Sequence, residues 1–522
     1  MPSPKNRSPR KPRRPGRVTL DGKSLTLEQV EAVADGAPCR LAGSVRREVR
    51  RSRKTVEQAV ASGRQIYGVN TGFGQLARVR IPDDQLARLQ QNLIRSHSAG
   101  VGDPLPERIV RAILTLRANC LARGHSGLRL ETLEQVVDLI DARIHPVVPA
   151  QGSVGASGDL APLAHLALAL MGEGEVFHRG KRVPAALALK RARLVPAKLE
   201  AKEGLALING TQVSCAIGCL TLLAAERLAV AADIVGAMTL EALMGSHRAF
   251  AREIHQARPQ RGQLASAANL RRLLRNSEIE RSHADCGRVQ DSYSLRCIPQ
   301  VHGAVRDTLR HVRSVLEIEA NSSTDNPMVF ADSGKLLTGG NFHGQPVSLV
   351  MDHLATAACS LGTISERRID RLLNPDLSGL PPFLADEPGL NSGFMLAHVT
   401  AAALVSENKV LAHPASVDTI PTSAGKEDHV PMATHAARQA AQIVDHIGTV
   451  LGIELLCATQ ALDLLKPLTG SRGVEAARRA VRVRIKRLKD DRVMSGEIER
   501  AKALLEEEVV RRAVERAAGS LE

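Results

Sequence analysis

Three consecutive small residues, Ala156, Ser157 and Gly158, have the composition for an unusual backbone reaction. The amide nitrogen of Gly158 can attack the carbonyl carbon of Ala156, and loss of two waters then converts Ser157 to a dehydroalanine within a five-membered imidazolone. Ser157 supplies the hydroxyl that is eliminated, and Gly158 lets the backbone bend tightly without a Cβ beside the ring-forming nitrogen. The product is a strong carbon electrophile. The alternative is an ordinary turn, because Ala, Ser and Gly are all common residues.

The residues around the tripeptide favour a constrained loop. The stretch 151–160, QGSVGASGDL, contains three glycines, which is too many for a helix interior. Pro146 and Pro149 precede it, and Pro162 and the apolar run 163–171 follow it. Loops held between rigid elements are frequent reaction sites, so this loop is a candidate active-site segment.

The chain has only two tyrosines, and both lie in segments that suit chemistry. Tyr67 lies in the glycine-rich IYGVNTGFG, where it is either a base or an aromatic cap on a pocket. A phenol has a pKa of about 10, so it is a useful base at neutral pH only where nearby positive charge or hydrogen-bond donors favour the phenolate. Tyr293 and Arg296 are three residues apart in RVQDSYSLRCIPQ and can share one face of a helical turn. A guanidinium can bind a substrate carboxylate through two hydrogen bonds, although surface arginines are common.

Two further polar residues stand out against apolar surroundings. Leu86, Leu89, Leu93 and His97 recur at helical spacing, which puts His97 on the buried stripe of an amphipathic helix. His97 is therefore either a core histidine or a residue that faces a pocket. Asn209 begins NGTQ directly after the apolar GLALI, and an isolated Asn-Gly pair most often forms a turn.

Composition limits the class of protein. The 522 residues carry a formal net charge of +15, and seven Lys and Arg residues precede the first acid, Asp21, in a segment rich in Pro and Ser. That segment predicts a disordered, solubilising tail over residues 1–17, with contact to nucleic acid or an anionic membrane as the alternative. It lacks the apolar stretch of a secretory signal. The eight cysteines form no C-x-x-C or zinc pattern, which favours reduced thiols in the cytoplasm and no metal. Glu226, Arg227 and Asp233 interrupt the longest apolar run, which argues against a membrane span.

Helical periodicity dominates the chain and predicts a mainly α fold. The apolar, Ala-rich stretch 206–243 suits the centre of a bundle, and 177–183 is a short polar excursion with the pattern of a hairpin. We therefore predict an elongated body of long central helices with a loop-rich N-terminal part that carries the active site. The predicted segments are the tail 1–17, the N-terminal part 18–203, the central long-helix bundle 204–473 and a charged helical region 474–522.

The motif GSVGASGDLAPLAH resembles the signature of the aromatic amino acid ammonia-lyases, and the resemblance spans roughly residues 18–492. It implies a 4-methylidene-imidazol-5-one group that forms autocatalytically from Ala156-Ser157-Gly158, with no dissociable cofactor. It also implies a homotetramer whose active sites draw residues from more than one subunit. The expected partner is therefore a small amino acid substrate.

The same resemblance suggests roles for individual residues. Tyr67 would abstract the β-proton, and Arg296 would bind the substrate carboxylate, with Gln290 matching beside it. Tyr293 would lie over the reaction centre. Asn209 would hydrogen-bond near the prosthetic group or the amino acid.

Substrate choice depends on groups that meet the side chain of the amino acid. Phe342, in GNFHG, is the expected pocket aromatic. The pair Ser96-His97 is similar to the family members that act on histidine, whereas members that act on tyrosine or phenylalanine tend to have His-Leu or Phe-Leu there. Glu427 can accept a hydrogen bond from an imidazole, and the members that act on phenylalanine or tyrosine usually have Gln at its position. Glu427 can also be read as the acidic start of a helix.

The chain departs from the family pattern close to Glu427. Gly425-Lys426 replaces the usual Asn-Gln, Pro431 replaces Ser, and Ser292 replaces Pro. The expected reaction is elimination of ammonia from L-histidine to give trans-urocanate. The alternatives are an aminomutase, a tyrosine or phenylalanine ammonia-lyase, and a non-enzymatic helical binding protein in which the tripeptide stays uncyclised.

Overall fold

The computed structural model describes residues 16–522 apart from Cys286 and Arg288, with only the backbone of Gln75. The predicted basic tail over 1–17 therefore lies almost wholly outside the described residues.

The described part of the chain is mainly helical, which confirms the predicted fold class. Most helices follow the periodicity of apolar residues in the sequence, with the apolar side buried. The α-helices, numbered in chain order, are α1 Leu27–Ala34, α2 Gly43–Ala61, α3 Leu86–His97, α4 Glu107–Ala122, α5 Leu130–Asp141, α6 Leu160–Leu170, α7 Ala185–Ala192, α8 Glu203–Ile208, α9 Gln212–Ala242, α10 Arg252–Gln256, α11 Arg261–Leu273, α12 Glu278–Ser282, α13 Tyr293–Arg296, α14 Ile298–Ala320, α15 Gln345–Leu373, α16 Pro375–Ser378, α17 Met395–Leu411, α18 Ala433–Leu464, α19 Arg472–Arg482, α20 Ser495–Glu506 and α21 Val509–Ala518.

Short strands lie between the helices, most of them before residue 185 and one pair between 328 and 337. The strands are β1 Val18–Leu20, β2 Cys39–Leu41, β3 Val101–Pro104, β4 Ile144–Pro146, β5 Pro149–Gln151, β6 Glu175–His178, β7 Lys181–Pro184, β8 Met328–Phe330 and β9 Lys335–Leu337. β1 and β2 are parallel, whereas β3–β5, β4–β6–β7 and β8–β9 are antiparallel. The β6–β7 hairpin is the polar excursion expected from the sequence. β5 leads directly into the Ala-Ser-Gly loop.

The chain forms two compact units that alternate along the sequence. The first contains the described residues up to Ala216, Glu317–Gly344 and Thr419–Val430. The second contains Ile217–Leu316, Gln345–Asp418 and Pro431–Glu522. All the strands belong to the first unit, and the longest helices lie mainly in the second. The four-segment division of the sequence stays a prediction.

The core of the second unit is built on α15 and α18, which pack along each other. Arg368 of α15 and Glu454 of α18 are fully buried and form a two-point ion pair, with Nε–Oε1 at 2.6 Å and Nη2–Oε2 at 2.8 Å. This pairing satisfies both charges inside an otherwise apolar contact.

Three of the described helices, α9, α15 and α18, are long and apolar enough to cross a membrane by length and composition. Their most apolar windows are 83%, 61% and 89% buried inside the protein. Packing within the protein therefore accounts for most of their apolar surface.

Candidate active site

The Ala-Ser-Gly loop lies between the end of β5 and the start of α6. Ala156 is buried, and Ser157 is half-buried beside a cavity. The Gly155 carbonyl accepts a hydrogen bond from the Gly344 N–H at 3.0 Å, which holds the loop from one side. The backbone is therefore fixed just before the serine.

Gly158 packs backbone against backbone on Gly210. Its φ is +75°, and a Cβ at this position would lie 2.4 Å from the Gly210 carbonyl oxygen and 2.5 Å from its nitrogen. The Asp159 N–H donates to the same carbonyl oxygen at 2.8 Å. Only glycine fits this space and this backbone conformation. The tripeptide therefore has a bent main chain and no side chain beside the Gly158 nitrogen.

Asp159 anchors the loop to the start of α9. Its carboxylate is fully buried; Oδ2 accepts from the N–H groups of Val213 and Ser214 at 2.9 Å, and Oδ1 accepts from the Ser153 hydroxyl at 2.9 Å. A carboxylate at a helix N-terminus satisfies amides that have no partner within the helix. The serine loop is therefore coupled to the longest helix that begins in the first unit.

The loop borders a cavity of about 610 Å³ within the first unit. This volume suits a small-molecule ligand. Seven residues predicted from the sequence line it, namely Tyr67, His97, Ala156, Ser157, Asn209, Phe342 and Glu427.

Tyr67 reaches the cavity from a loop that precedes a short 3-10 helix, Gly74–Arg78. The Gly74 N–H donates to the Tyr67 hydroxyl oxygen at 3.4 Å. Gly68 has φ +66°, and a Cβ there would lie 2.3 Å from the Leu205 side chain, so this glycine allows the loop to pack closely on α8. A backbone donor thus faces the phenol oxygen.

His97 is the last residue of α3 and is half-buried at the cavity. Its Nδ1 is 3.1 Å from the Ser96 hydroxyl. The pKa of His97 is lowered by burial, and hydrogen bonding to the Leu93 backbone and the charge of Glu427 offset only part of that shift.

The buried stripe of α3 differs from the predicted one, because Gln90, rather than Leu89, is fully buried. The side-chain oxygen of Gln90 accepts from the N–H of Leu205.

Glu427 lies in direct contact with Ser157 at the cavity. Its Oε1 accepts a short hydrogen bond from the Ser157 hydroxyl, and its Oε2 accepts from the hydroxyls of Thr422 at 2.6 Å and Ser423 at 3.0 Å. Glu427 lies in an irregular segment, and α18 begins only at Ala433. The alternative in which Glu427 opens a helix is therefore wrong.

Asn209 ends α8 with its side chain buried in the cavity wall. Its Nδ2 donates to the Asn326 carbonyl at 3.2 Å, whereas its Oδ1 is buried without a hydrogen-bond partner among the described residues. The buried Arg117 donates to the Asn209 carbonyl at 3.0 Å and to Gln212 Oε1 at 2.5 Å, which fixes the turn into α9. The free amide oxygen is an acceptor for a ligand N–H.

Phe342 lines the cavity beside two histidines that were not predicted from the sequence. The rings of His343 and His429 are stacked, with centroids 5.9 Å apart and planes 3° apart. His343 Nε2 is 3.1 Å from the His429 carbonyl. Both histidines occur in motifs already noted, GNFHG and the segment around Glu427, so residue type within those motifs was the available signal.

The other predicted residues lie in the second unit. Tyr293 and Arg296 occupy the helical turn α13, and the Arg296 guanidinium carbon is 4.7 Å from the centroid of the Tyr293 ring. Tyr293 is 71% exposed. Arg296 Nε is buried without a hydrogen-bond partner among the described residues, and Gln290 and Arg296 line a separate cavity of about 510 Å³. Their roles stay predictions.

Sequence reasoning missed the supporting residues around the site. Asp159 lies in the quoted motif but gave no sign of its role, and Arg117 lies in a helix with no motif. Asn326 and Asp428 also line the cavity, as does Lys426, which was noted from the sequence only as a departure from the family pattern. Such contacts depend on long-range folding, which the spacing of residues in a single sequence does not reveal.

Metal ligands and thiols are the remaining reactive groups in the described part of the chain. No group of three or more His, Cys, Asp or Glu side chains there is arranged to hold a metal ion. The seven described cysteines are free thiols, and burial raises the pKa of Cys39 to about 12.

Comparison with known proteins identifies the class to which this fold and site belong. The model of the aromatic amino acid lyase family matches residues 25–483, so the chain belongs to that family. This confirms the resemblance carried by GSVGASGDLAPLAH and the predicted class of carbon–nitrogen lyase. The family is known for the methylidene-imidazolone group.

Individual members of the family are similar to this chain over nearly its full length. Histidine ammonia-lyase from Anaeromyxobacter sp. strain K is 57% identical over 500 residues, which cover 94% of this chain and 98% of that protein. The crystal structure of histidine ammonia-lyase from Trypanosoma cruzi matches with a TM-score of 0.90 and 43% identity over 96% of each chain. The crystal structure of tyrosine aminomutase from Streptomyces globisporus matches with a TM-score of 0.91 and 39% identity, over 96% of this chain and 99% of that one.

Proposed function

We propose that this protein removes ammonia non-oxidatively from L-histidine and releases trans-urocanate. The observation that carries the proposal is that Ser157, Tyr67, His97 and Glu427 line one cavity. The similarity to histidine ammonia-lyases over nearly the full chain supports the same substrate.

Ala156, Ser157 and Gly158 are the residues that would form the methylidene-imidazolone, which supplies an electrophilic carbon when present. Ser157 loses its hydroxyl in that condensation. Glu427 Oε1, which accepts from this hydroxyl in the uncyclised chain, then becomes free to accept from a substrate imidazole N–H. Thr422 and Ser423 continue to hold Oε2, so the carboxylate keeps its orientation. A site with such an acceptor discriminates against a ring that cannot donate, because the acceptor would be left unpaired.

Tyr67 takes the β-proton in this proposal. The Gly74 N–H donates to its oxygen at 3.4 Å, so the hydroxyl is held at the edge of the cavity where a base would act. His97 stays neutral at neutral pH because burial lowers its pKa, so it adds no positive charge beside the substrate ring. The unpaired Oδ1 of Asn209 is available for the amino group.

Arg296 binds the substrate carboxylate in a homotetramer with shared active sites, with Gln290 and Tyr293 beside it. The exposure of Tyr293 supports this arrangement, since a large aromatic surface is available to another subunit. The buried, unpaired Nε of Arg296 supports it too, because such a donor gains a partner when a carboxylate binds. We further propose that the enzyme works in the cytoplasm.

The test is an assay of the purified protein with L-histidine, L-tyrosine and L-phenylalanine side by side. We expect the ultraviolet absorbance of urocanate with histidine, and we expect Ser157→Ala to abolish it. Intact mass provides the control, because the mature wild-type chain is lighter than its sequence by two waters and the variant is not. Cinnamate or coumarate without urocanate would reassign the substrate.

An aminomutase is the second candidate, and the similarity to tyrosine aminomutase favours it. The two reactions share every step up to the release of ammonia. Chiral chromatography of the products separates them, because only an aminomutase yields a β-amino acid.

A further inference from the structure

Lys426 is a free cation at the active-site cavity. It is the only Lys or Arg among the described residues that line the cavity, and its side chain is exposed. Within the described part of the chain its ammonium forms no ion pair and no hydrogen bond. Its charge is therefore available to a ligand.

The same cavity contains two carboxylates, Glu427 and Asp428. In the part of the chain that the structure describes, the carboxylate oxygens of Glu427 accept hydrogen bonds from three hydroxyls and from no Lys or Arg. Within the described lining of this cavity, Lys426 alone among Lys and Arg offsets these two negative charges, and it would act in addition to the proposed contact of Arg296 with the substrate carboxylate.

The backbone fixes the base of the Lys426 side chain at the cavity. Ser423–Gly425 forms one 3-10 turn, and the Lys426 N–H donates to the Ser423 carbonyl at 3.2 Å. Thr422 and Glu427 pair through the hydrogen bond from Thr422 N–H to the Glu427 carbonyl at 2.9 Å. The four-carbon stem beyond this fixed point lets the ammonium follow a ligand.

We propose that Lys426 sets the charge preference of the cavity. It offsets Glu427 and Asp428, so that a cavity able to accept a hydrogen bond from an imidazole does not repel the carboxylate of the same molecule. The inference rests on the proposed function, because it concerns a substrate and a product that each carry a carboxylate. Lys426 is then an electrostatic specificity residue that takes no part in proton transfer.

The experiment compares two ligands by calorimetry on the full-length protein at pH 8 and low salt. trans-Urocanate carries the carboxylate, and imidazole carries only the ring. We expect Lys426→Gln to raise the dissociation constant of urocanate about threefold and Lys426→Glu about tenfold, which is the range of a solvent-exposed charge interaction. Imidazole should bind within a factor of about two of wild type. The difference should shrink in about 0.5 M salt.

Two controls separate a charge effect from a structural one. Lys426→Arg keeps the charge and should bind both ligands as wild type does. Lys190→Gln removes one exposed positive charge from the last turn of α7 and should change neither ligand. Equal weakening of urocanate and imidazole by Lys426→Gln would indicate a structural role and overturn the proposal, as would no change in either.

Failure of the proposed function is recognised separately. If wild type releases cinnamate or coumarate rather than urocanate, histidine is the wrong substrate. Binding of that acrylate can then be compared with binding of the same aromatic ring without the acrylate chain, and this comparison still tests Lys426.

Discussion

Two loops of the first unit bring reactive side chains to one cavity, and they are held in different ways. The Ser157 loop is fixed through its main chain, by Gly158 against Gly210 and by the buried Asp159. The Tyr67 loop is held mainly by local contacts, from its main chain and from its side chains; the Gly72 N–H, for instance, donates to the Val79 carbonyl at 3.0 Å. Asn70, for example, accepts from the Ile66 N–H at 2.7 Å and donates to the Arg64 carbonyl at 2.8 Å.

The difference matches what the proposed function requires of each loop. Condensation of Ala156 with Gly158 joins two main-chain atoms, so the backbone itself must be constrained before the reaction. Proton transfer by Tyr67 requires only that a side-chain oxygen come within hydrogen-bond reach of the substrate. A loop that performs proton transfer can therefore rely on local contacts.

Gly158→Ala is the strongest test of the backbone constraint. The added methyl would meet Gly210 at 2.4 to 2.5 Å at a φ of +75°, so we expect no ring formation, no activity and a loss of about 3 kcal/mol or more in the free energy of unfolding. Intact mass and urea unfolding measure these effects.

Gly180→Ala is the matched control for that change. Gly180 has φ +73° in the β6–β7 hairpin, and nothing lies within 4 Å of the position that a Cβ would take there. It should cost only the backbone strain, about 1 kcal/mol, and leave the ring intact. Equal losses from the two variants would show that contact with Gly210 is unimportant.

Tyr67→Phe should separate the two loops. We expect activity to fall about 10²- to 10⁴-fold, the usual contribution of a general base, while the intact mass still shows the mature ring. Stability should change little, because the one hydrogen bond of this hydroxyl among the described residues is the long one from Gly74. Loss of the ring in this variant would contradict the division of roles.

Asp159→Asn tests the anchor between the serine loop and α9. Its carboxylate accepts two backbone N–H groups and two hydroxyls in a buried site, and an amide replaces one acceptor oxygen with a donor. We expect a loss of about 2–3 kcal/mol in the free energy of unfolding, with slower ring formation. Asp103→Asn, at an exposed position, serves as the comparison. A normal rate of ring formation in Asp159→Asn would show that the anchor serves stability alone.

The smallest expected effect concerns pH and His97. Burial lowers the pKa of His97 in the folded state, so the unfolded chain takes up its proton first as the pH falls. Wild type should therefore lose stability relative to His97→Gln as the pH is lowered through the ordinary range of a histidine. Urea unfolding at about pH 7.5 and about pH 5.5, on either side of that range, measures the free energy of unfolding of both proteins. If wild type became more stable relative to His97→Gln at the lower pH, the prediction would be contradicted.

The sequence predicted those parts of the site that depend on local pattern. The helical fold, the constrained Ser157 loop, a helix that carries His97 and the α13 turn all follow from spacing and residue type. Asp159, Arg117 and the stacked His343 and His429 were missed as partners, because their contacts join segments far apart in the chain. For Glu427, the sequence predicted the residue itself as part of the site but did not predict the hydroxyls that donate to its carboxylate.

The close approach of Gly158 to Gly210 has a consequence for how this protein is handled in the laboratory. If ring closure requires that approach, the loss of two waters happens only in chains that have folded at least once, and unfolding does not reverse it. The mass of a denatured sample then carries a permanent covalent record of its folding history. A preparation could be sorted into chains that once reached the native state and chains that never did.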